Sequence, residues 1–408
     1  MKGLKDLTMH SLRFSLFLSL TFSTLSAEAF ISDIKEQSFK LQQERVEIES
    51  RKLSSSWIEP IELIASKSYN NQFGADQKNT LYKVSINQPI FKSGGIFFAI
   101  KYANAKGRFE NLSVKEQRRA LIKEAVGLLM KIKRTELQSS RQELILKNAR
   151  IDLLRKREQY DSGQIDSGFL DNAVLSKNSS ALALLDIKSA KNDLIAAFES
   201  ISELSWIDVK IPVLTLVSEK EFFDEHLEVK KAKADVLQNE YFQNVTVAKY
   251  LPTFRLNASY NDVDNENFAF GNGINFSSAD SYYQYGLSAS WRFLDVNILR
   301  DIESSKLGYL KAKNAQIDLK NRLTKRYKKI LNNINIVDEK LKLTLEDKNL
   351  YAKLSVDTKE LYEAGQKSIY DVQTLENSEK VQRLNFDILS LDRQLLLLEL
   401  YEKSEREF

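Results

Sequence analysis

Two hydrophobic patterns share the chain, and the shorter one alternates residue by residue. Apolar and polar side chains alternate in four segments, at about 57–69, 81–91, 252–260 and 283–293. Successive side chains of a β-strand point to opposite faces, so this pattern predicts strands with one apolar and one polar face. Polar loops separate the segments in pairs. We therefore expect two β-hairpins, at about 57–92 and 252–294.

The longer pattern is that of helices. It covers about 31–55, 93–160, 163–205, 219–249, 296–362 and 365 to the C-terminus. In the first of these, Ile34, Leu41 and Ile48 recur every seven residues. A seam of three- and four-residue steps runs through Tyr327, Ile330, Ile334, Val337 and Leu341, which is typical of coiled-coil packing. Residues 206–217 between two helices have a β-like pattern and form a predicted linker.

The helices predicted here are unusually long. The segment 93–160 alone would extend roughly 100 Å at about 1.5 Å per residue. The 408 residues include only four prolines, which permits such lengths because an interior proline breaks a helix. In each half the two shorter helices together match the long one, so we expect a stacked pair to lie alongside it.

The chain repeats itself at a spacing of about 202 residues. Aligned without a gap, segments 157–173 and 359–375 match Tyr160 with Tyr362, Gly163 with Gly365 and Gln164 with Gln366. Strand 81–91 likewise resembles 284–294. Because glycine accepts the positive φ that ends a helix, each Gly is interpreted as the turn of a helical hairpin. The fold class predicted is mainly α with a small β part, in two tandem repeats of helix, β-hairpin, long helix and helix.

The repeat predicts the division of the chain. We expect a first repeat at 30–205, a linker at 206–217 and a second repeat at 218–408, with helical turns at about 161–168 and 363–367. Residues 1–29 are interpreted as a signal peptide, with basic residues before the apolar segment 14–22 and an Ala-Glu-Ala cleavage site ending at Ala29. The alternative, an uncleaved anchor, would require an apolar segment of roughly 20 residues.

Composition excludes several classes of function. The net charge of +4 is small for this length and gives no argument for nucleic acid. The chain has no cysteine, which excludes disulfides, thiolate metal sites and a lipid-modified N-terminal cysteine. Of its two histidines, His10 lies in the leader and His226 is predicted to be a surface residue on a helix. No cofactor, metal cluster or catalytic nucleophile with its base stands out, so an enzyme is not expected.

The two-faced strands are typical of a membrane barrel, with one face toward lipid and the other toward water. The alternative is a small soluble sheet lying on helices. Four strands cannot close a barrel in a membrane, where no strand edge can face lipid. Several chains must then contribute strands, and counting alone allows two chains with eight strands or three with twelve.

These features together resemble one family. The segments NQPIFKSGG, YLPTFRLNASY, SASWRFLD and YEAGQKSIYDV, in the repeated order of helix, hairpin, long helix, turn and helix, resemble the TolC family of outer-membrane efflux channels. The resemblance covers essentially the whole mature chain. It implies a homotrimer in the outer membrane, with a 12-stranded β-barrel continued by a periplasmic α-helical barrel. It also implies docking onto a periplasmic adaptor and an inner-membrane transporter.

The resemblance also implies a periplasmic gate at the helix tips. By position, Asp371 falls on a gate carboxylate, and Tyr362 and Lys367 fall on residues that link neighbouring helices. Lys367 stands where the best-known member has arginine, and Thr374 and Phe169 stand where further gate carboxylates are expected. A weaker lock and a thinner acidic ring are therefore expected. The alternative for Asp371 is an ordinary solvated helix carboxylate.

Adaptor docking is expected, on the resemblance alone, at the two tips, formed by Gly163, Gln164, Gly365 and Gln366. The function implied is a passive exit duct for small molecules or polypeptides, driven by an inner-membrane pump. The sequence does not separate efflux from type I secretion. The alternative is a periplasmic coiled-coil adaptor or structural protein, and the duplicated strand pairs oppose it.

Overall fold

The computed structural model of the chain describes residues 30–71, 77–270 and 274–405, so the predicted signal peptide, 1–29, lies outside the described residues. The helices are α1 Asp33–Ser54, α2 Gly95–Asp161, α3 Ser167–Glu199, α4 Glu219–Glu225, α5 Leu227–Lys249, α6 Ile298–Glu363 and α7 Ile369–Tyr401. The strands are β1 Glu62–Asn70, β2 Gln77–Phe91, β3 Thr253–Phe270 and β4 Ile274–Ser290. The fold is mostly helical with one small antiparallel sheet.

The sheet has the order β1-β2-β3-β4, with every neighbouring pair antiparallel. Its register aligns whole rows of side chains across the strands. One row joins Leu63, Val84, Tyr260 and Tyr283, and the adjacent row, on the opposite face, joins Glu62, Ser85, Ser259 and Gln284. Leu63 and Tyr283 stay 78% and 75% exposed. The predicted apolar and polar faces are therefore confirmed, and among the described residues no helix covers this part of the apolar face.

The helices are arranged around two long ones. α2, with 67 residues, packs against α1, α3, α5 and α7, and α6, with 66 residues, packs against α5 and α7. α5 and α7 thus lie between the two long helices, and α1 and α3 lie on the outer side of α2. The helix order α1-α2-α5-α6 repeats the strand order, because each strand is joined in sequence to the helix at the same place. Sheet and helices share the same two outer edges.

The short helices are stacked end to end as predicted. The amide of Ser32, before α1, donates to the carbonyl of Ile201, after α3, at 2.9 Å. The amide of Leu227, at the start of α5, donates to the carbonyl of Lys403, after α7, at 2.7 Å. These joints lie beside the middle of the long helices. Each long helix is therefore covered by two short ones that meet near its centre.

The hydrophobic core lies at these joints. Its fully buried members include Ile122, Met130, Phe198, Leu397, Leu398 and Leu400. Each such apolar side chain contributes roughly 1.5–3 kcal/mol when it leaves water. Tyr327, Ile330 and Ile334 of the predicted α6 seam are buried here. The hydroxyl of Tyr327 donates to the carbonyl of Val217 at 2.8 Å.

The linker predicted as β-like contains no strand. Residues 209–218 have no regular secondary structure, and their backbone pairs with side chains instead. The amide of Leu214 donates to Oε1 of Gln394 at 2.8 Å. Leu214 and Val217 are buried in the core. The alternation in this segment therefore results from side chains packing on helices, not from pairing with another strand.

His226 is not a surface residue, and the helix predicted over 219–249 is broken there. The backbone of His226 is extended, with φ −72° and ψ 118°, between α4 and α5. It forms an isolated antiparallel bridge with Ser404, so pairing with the C-terminal segment interrupts the helical pattern. The side chain is 3% exposed and lies edge-on to the ring of Phe222.

The environment of His226 holds the imidazole neutral. Burial is the largest cause that lowers its pKa to about 4, and the cations Lys403 and Arg326 act in the same direction. The carboxylates of Glu228 and Glu116 oppose them. Both carboxylates are themselves paired with Lys403. A charged network therefore surrounds an uncharged ring at the joint between α5 and α7.

Among the helices that the structure describes, none combines the length and the apolar character required to cross a membrane.

We predict that His226 makes the joint sensitive to acid. Its pKa is about 4 in the folded chain, against an ordinary 6.5, so between these values the unfolded chain binds more protons and stability falls as the pH falls. At about 1.4 kcal/mol per pKa unit, the loss approaches about 3 kcal/mol near pH 4. His226→Gln, which does not titrate, should lose less stability over this range when unfolding is measured by circular dichroism. Parallel losses in both proteins would contradict the prediction.

Candidate functional site

The two helical turns have the same conformation. Residues 162–166 connect α2 to α3, and residues 364–368 connect α6 to α7. Gly163 and Gly365 have φ of +70° and +75°, the left-handed region that glycine enters without steric cost. A Cβ at either position would meet no atom within 4 Å. The backbone conformation, not a lack of space, therefore requires glycine at both turns.

The same pair of hydrogen bonds closes each turn. The amide of Gly163 donates to the carbonyl of Tyr160 at 2.9 Å, and that of Gln164 to the carbonyl of Gln159 at 2.8 Å. The second turn has the equivalent bonds from Gly365 to Tyr362 and from Gln366 to Leu361, both at 2.9 Å. This is the Schellman arrangement, which satisfies carbonyls at a helix end. All four tip residues, Gly163, Gln164, Gly365 and Gln366, are exposed.

Asp371 occupies the third position of α7 and caps it. The amide of Asp371 donates to Oγ of Ser368 at 3.2 Å, and the amide of Ser368 donates to Oδ2 of Asp371 at 3.1 Å. The hydroxyl of Ser368 also donates to Oδ2 at 2.8 Å. This reciprocal capping box satisfies two backbone donors that the helix itself leaves free. Asp371 therefore stabilises the start of α7, a structural role that the sequence analysis did not predict.

Two cations also act on the Asp371 carboxylate. The hydrogen bonds from Ser368 are the largest cause that lowers its pKa, and the charges of Lys367 and Arg155 add to them. Nη1 of Arg155 on α2 lies 3.6 Å from Oδ1 of Asp371, and Nη2 lies 2.9 Å from Asp152. Asp371 is thus ionised and is drawn toward the end of α2. The carboxylate is partly neutralised within its own chain.

The contact that sequence reasoning missed joins the same two helices. The hydroxyl of Tyr370 on α7 donates to Oε1 of Glu158 on α2 at 2.6 Å. This bond raises the pKa of the Tyr370 hydroxyl. Glu158 and Tyr370 are separated by 212 residues in the chain, and nothing in the local sequence of either marks a partner. The repeat also gave no signal, because Gly168 stands at the position equivalent to Tyr370.

The structure places the other two predicted gate residues at the same tip. Tyr362 lies in the last turn of α6 and is 41% exposed, and Lys367 lies in the turn itself and is exposed. Lys367 is near enough to Asp371 to lower its pKa. Within the part of the chain that the structure describes, the side chain of Tyr362 makes no hydrogen bond. The structure thus brings Lys367 and Asp371 together within one chain and leaves the Tyr362 side chain at the surface.

The first hairpin places its carboxylate differently. Asp166 is the N-cap of α3, and its Oδ1 accepts from the amide of Gly168 at 2.8 Å. Phe169, at the position equivalent to Asp371, is 54% exposed, and Nζ of Lys156 lies 5.6 Å from its ring centre. Both hairpins therefore have one carboxylate at the start of the returning helix. In the first hairpin it stands three residues earlier than in the second.

The fold is that of the outer-membrane channels. The chain is similar to the CmeC outer-membrane channel of Campylobacter jejuni, at 14% identity with a TM-score of 0.70 over 93% of this chain and 85% of that one. It is also similar to the outer-membrane protein VceC of Vibrio cholerae, at 14% identity and TM-score 0.72 over 93% and 95%. The open state of the MtrE outer-membrane channel of Neisseria gonorrhoeae matches at 13% identity and TM-score 0.61, over 92% and 86%.

No protein-family model matches the sequence, and no curated protein does. The evidence for the likeness is therefore structural, and it covers nearly the whole described chain. The resemblance to TolC-family channels that the repeat predicted is confirmed as a likeness of fold.

We predict that the bond between Tyr370 and Glu158 holds the first turn of α7 on α2. Tyr370→Phe removes only the hydroxyl, so amide hydrogen exchange over residues 369–373 should become severalfold faster. The control is Tyr351→Phe on α6, whose hydroxyl makes no hydrogen bond within the described residues. Equal exchange in the two variants would show that the bond does not hold the turn.

Proposed function

We propose that the chain is the outer-membrane channel of a tripartite efflux or type I secretion system. In this function a homotrimer forms a passive exit duct for small molecules or polypeptides, and an inner-membrane transporter supplies the energy. The observation that carries the proposal is the shared order of strands and helices. One outer edge of the chain is formed by strand β1 and helix α1, and the other by strand β4 and helix α6.

Those edges suit a closed ring. An unpaired strand edge cannot face lipid, because each free backbone group would remain unsatisfied there. Pairing β4 of one chain with β1 of the next satisfies both edges and also brings α6 against α1 and α3. The two edges differ, so the contact is head-to-tail, and such a contact forms a ring when the rotation from one chain to the next closes. Three chains give the 12 strands of the expected barrel, continued by a helical barrel in the periplasm.

The similar channels support the location and the transport role. CmeC and MtrE are outer-membrane channels, and the MtrE structure is of an open state. An outer-membrane location also agrees with the apolar face of the sheet. The helical tips, with Gly163, Gln164, Gly365 and Gln366, would then lie at the periplasmic end, where we propose that the adaptor docks.

The gate is proposed at the same tips. Asp371 supplies the carboxylate, and Lys367 and Tyr362 link neighbouring helices. To these we add Glu158 and Tyr370, whose hydrogen bond fastens α7 to α2 beside the carboxylate. Opening in this proposal requires the start of α7 to leave the end of α2.

The oligomeric state tests the proposed function. Protein extracted from outer membranes in a non-ionic detergent should have the mass of a trimer, and unheated samples should migrate as an oligomer that heating converts to monomer. Reconstitution in planar bilayers should give single-channel currents. A monomer that stays dispersed without detergent and carries no current would instead favour the periplasmic adaptor or structural protein.

We predict that Asp371→Asn lowers the cation preference of the channel and its block by multivalent cations added on the periplasmic side. Asparagine retains the size of the side chain and removes its charge. The control is Asp318→Asn, an exposed α6 carboxylate paired with Arg322 and far from the tip in sequence. If single-channel selectivity is the same in wild type and Asp371→Asn, Asp371 does not line the gate.

A further inference from the structure

One polar ladder fastens α2 to α7 within the chain. Its members on α2 are spaced by seven residues, and so are their partners on α7, in the opposite direction. The pairs are Arg134–Asp392 at 2.6 Å, Arg141–Asn385 at 3.1 Å, Asn148–Ser378 at 3.2 Å and Arg155–Asp371 at 3.6 Å. A seven-residue step keeps one face of each helix toward its neighbour. The ladder therefore defines the antiparallel register of this helix pair.

The internal repeat carries this register to the outer edges of the chain. α3 and α7 have the same length, 33 residues, and begin at Ser167 and Ile369, 202 residues apart like the two turn glycines. Shifting the ladder by this spacing moves the α2 positions onto α6 and the α7 positions onto α3. The equivalent pairs are Ile336–Ala190, Leu343–Ala183, Leu350–Ser176 and Asp357–Phe169.

The shifted positions have the opposite chemistry. Ile336, Leu343 and Leu350 on α6 form an apolar stripe and are 50%, 62% and 53% exposed. Their counterparts on α3 are the small residues Ala190, Ala183 and Ser176, of which Ala190 and Ser176 are exposed. Large side chains on one helix facing small ones on the other allow close packing. α6 and α3 lie at opposite outer edges of the same chain, so each needs a partner from outside it.

We propose that α6 of one chain packs on α3 of the next copy in this register, with Leu350 beside Ser176 and Leu343 beside Ala183 of the neighbour. We call this contact the apolar seam. It rests on the proposed ring and adds the register and the chemistry of its subunit contact. The occupant is a second copy because the repeat supplies the complementary helix and because β4 and β1 end at the same edges. A partner of another kind would leave the strand edges unpaired.

A second exposed stripe continues the seam toward the sheet. Ile34, Leu41 and Ile48 of α1, spaced by seven residues, are 77%, 57% and 64% exposed. α1 is stacked on α3 through the bond between Ser32 and Ile201, so both helices belong to the same outer edge of α2. The heptad that the sequence showed in α1 thus faces away from its own chain.

The polar ladder and the apolar seam differ most at the tip. Within a chain, the last pair of the ladder is Arg155 and Asp371, which have opposite charges. Between chains, the same place would hold Asp357 and Phe169, which cannot form an ion pair. The apolar seam should therefore hold the subunits together at high salt and be loosest at the tip, where the gate is proposed.

Disulfide crosslinking tests the register in a chain that has no native cysteine. Leu350→Cys with Ser176→Cys should give covalent oligomers on mild oxidation, since cysteines whose Cα atoms lie within about 7 Å can be bridged. Asn148→Cys with Ser378→Cys occupies the equivalent positions inside one chain and should give only an internal bridge. The pair Leu343→Cys with Ser176→Cys is out of register by one heptad and should give far less product.

A second in-register pair, Leu343→Cys with Ala183→Cys, serves if the first pair prevents folding. Covalent oligomers from an in-register pair, with little product from the out-of-register pair, support the proposal. A detergent-stable oligomer whose in-register cysteines do not crosslink, or whose out-of-register cysteines crosslink better, overturns the register and leaves the channel intact. A monomer in which the internal control pair still bridges overturns the proposed ring as well.

Salt tests the chemistry of the seam independently. The wild-type oligomer in detergent should remain associated at about 1 M salt, where the Debye length is about 3 Å and exposed ion pairs are screened. Dissociation of the oligomer under these conditions would show that charges, not the apolar stripe, hold the subunits together.

Discussion

Two uninterrupted helices of 67 and 66 residues impose the main constraint on this structure. A helix of roughly 100 Å is stabilised mostly by packing of its apolar positions, and it needs neighbours along its whole length. The chain supplies them as stacked pairs of shorter helices, α1 with α3 and α5 with α7. The joint between the members of each pair lies near the middle of the long helix. The largest buried cluster lies there, because side chains from the long helices, the joints and the linker meet at that level.

The sequence predicted what local periodicity and the repeat determine. Strand faces, helix positions and the two glycine turns follow from spacings of two, three to four and 202 residues, and their observed positions agree with those spacings. The burial and extended backbone of His226 could not be predicted from local periodicity. The extended backbone results from pairing with Ser404, which is 178 positions away in the chain. The linker was misread for a similar reason. Its alternating side chains pack on helices, and periodicity alone cannot tell this from a strand.

At the candidate site, sequence identified the turns and their residues but not the contacts among them. The bond between Tyr370 and Glu158 joins residues of different repeats, so neither the local pattern nor the internal alignment contains it. The capping box of Ser368 and Asp371 did have a local signal, since a serine followed three residues later by an acid marks a helix start. The resemblance predicted a gate role for Asp371, and its capping role was not predicted.

The two hairpins show how a duplicated unit can acquire different interfaces without changing its backbone. The turns have the same hydrogen bonds and the same φ, yet the ladder positions are polar on α2 and α7 and mostly apolar or small on α6 and α3. A polar contact is tolerated between helices of one chain because covalent connection keeps them close. Two separate chains must instead offset the loss of translational and rotational freedom, and burial of apolar area is the larger favourable contribution. The apolar outer edge that the repeats have acquired therefore fits the proposed ring, which is built from copies of one chain.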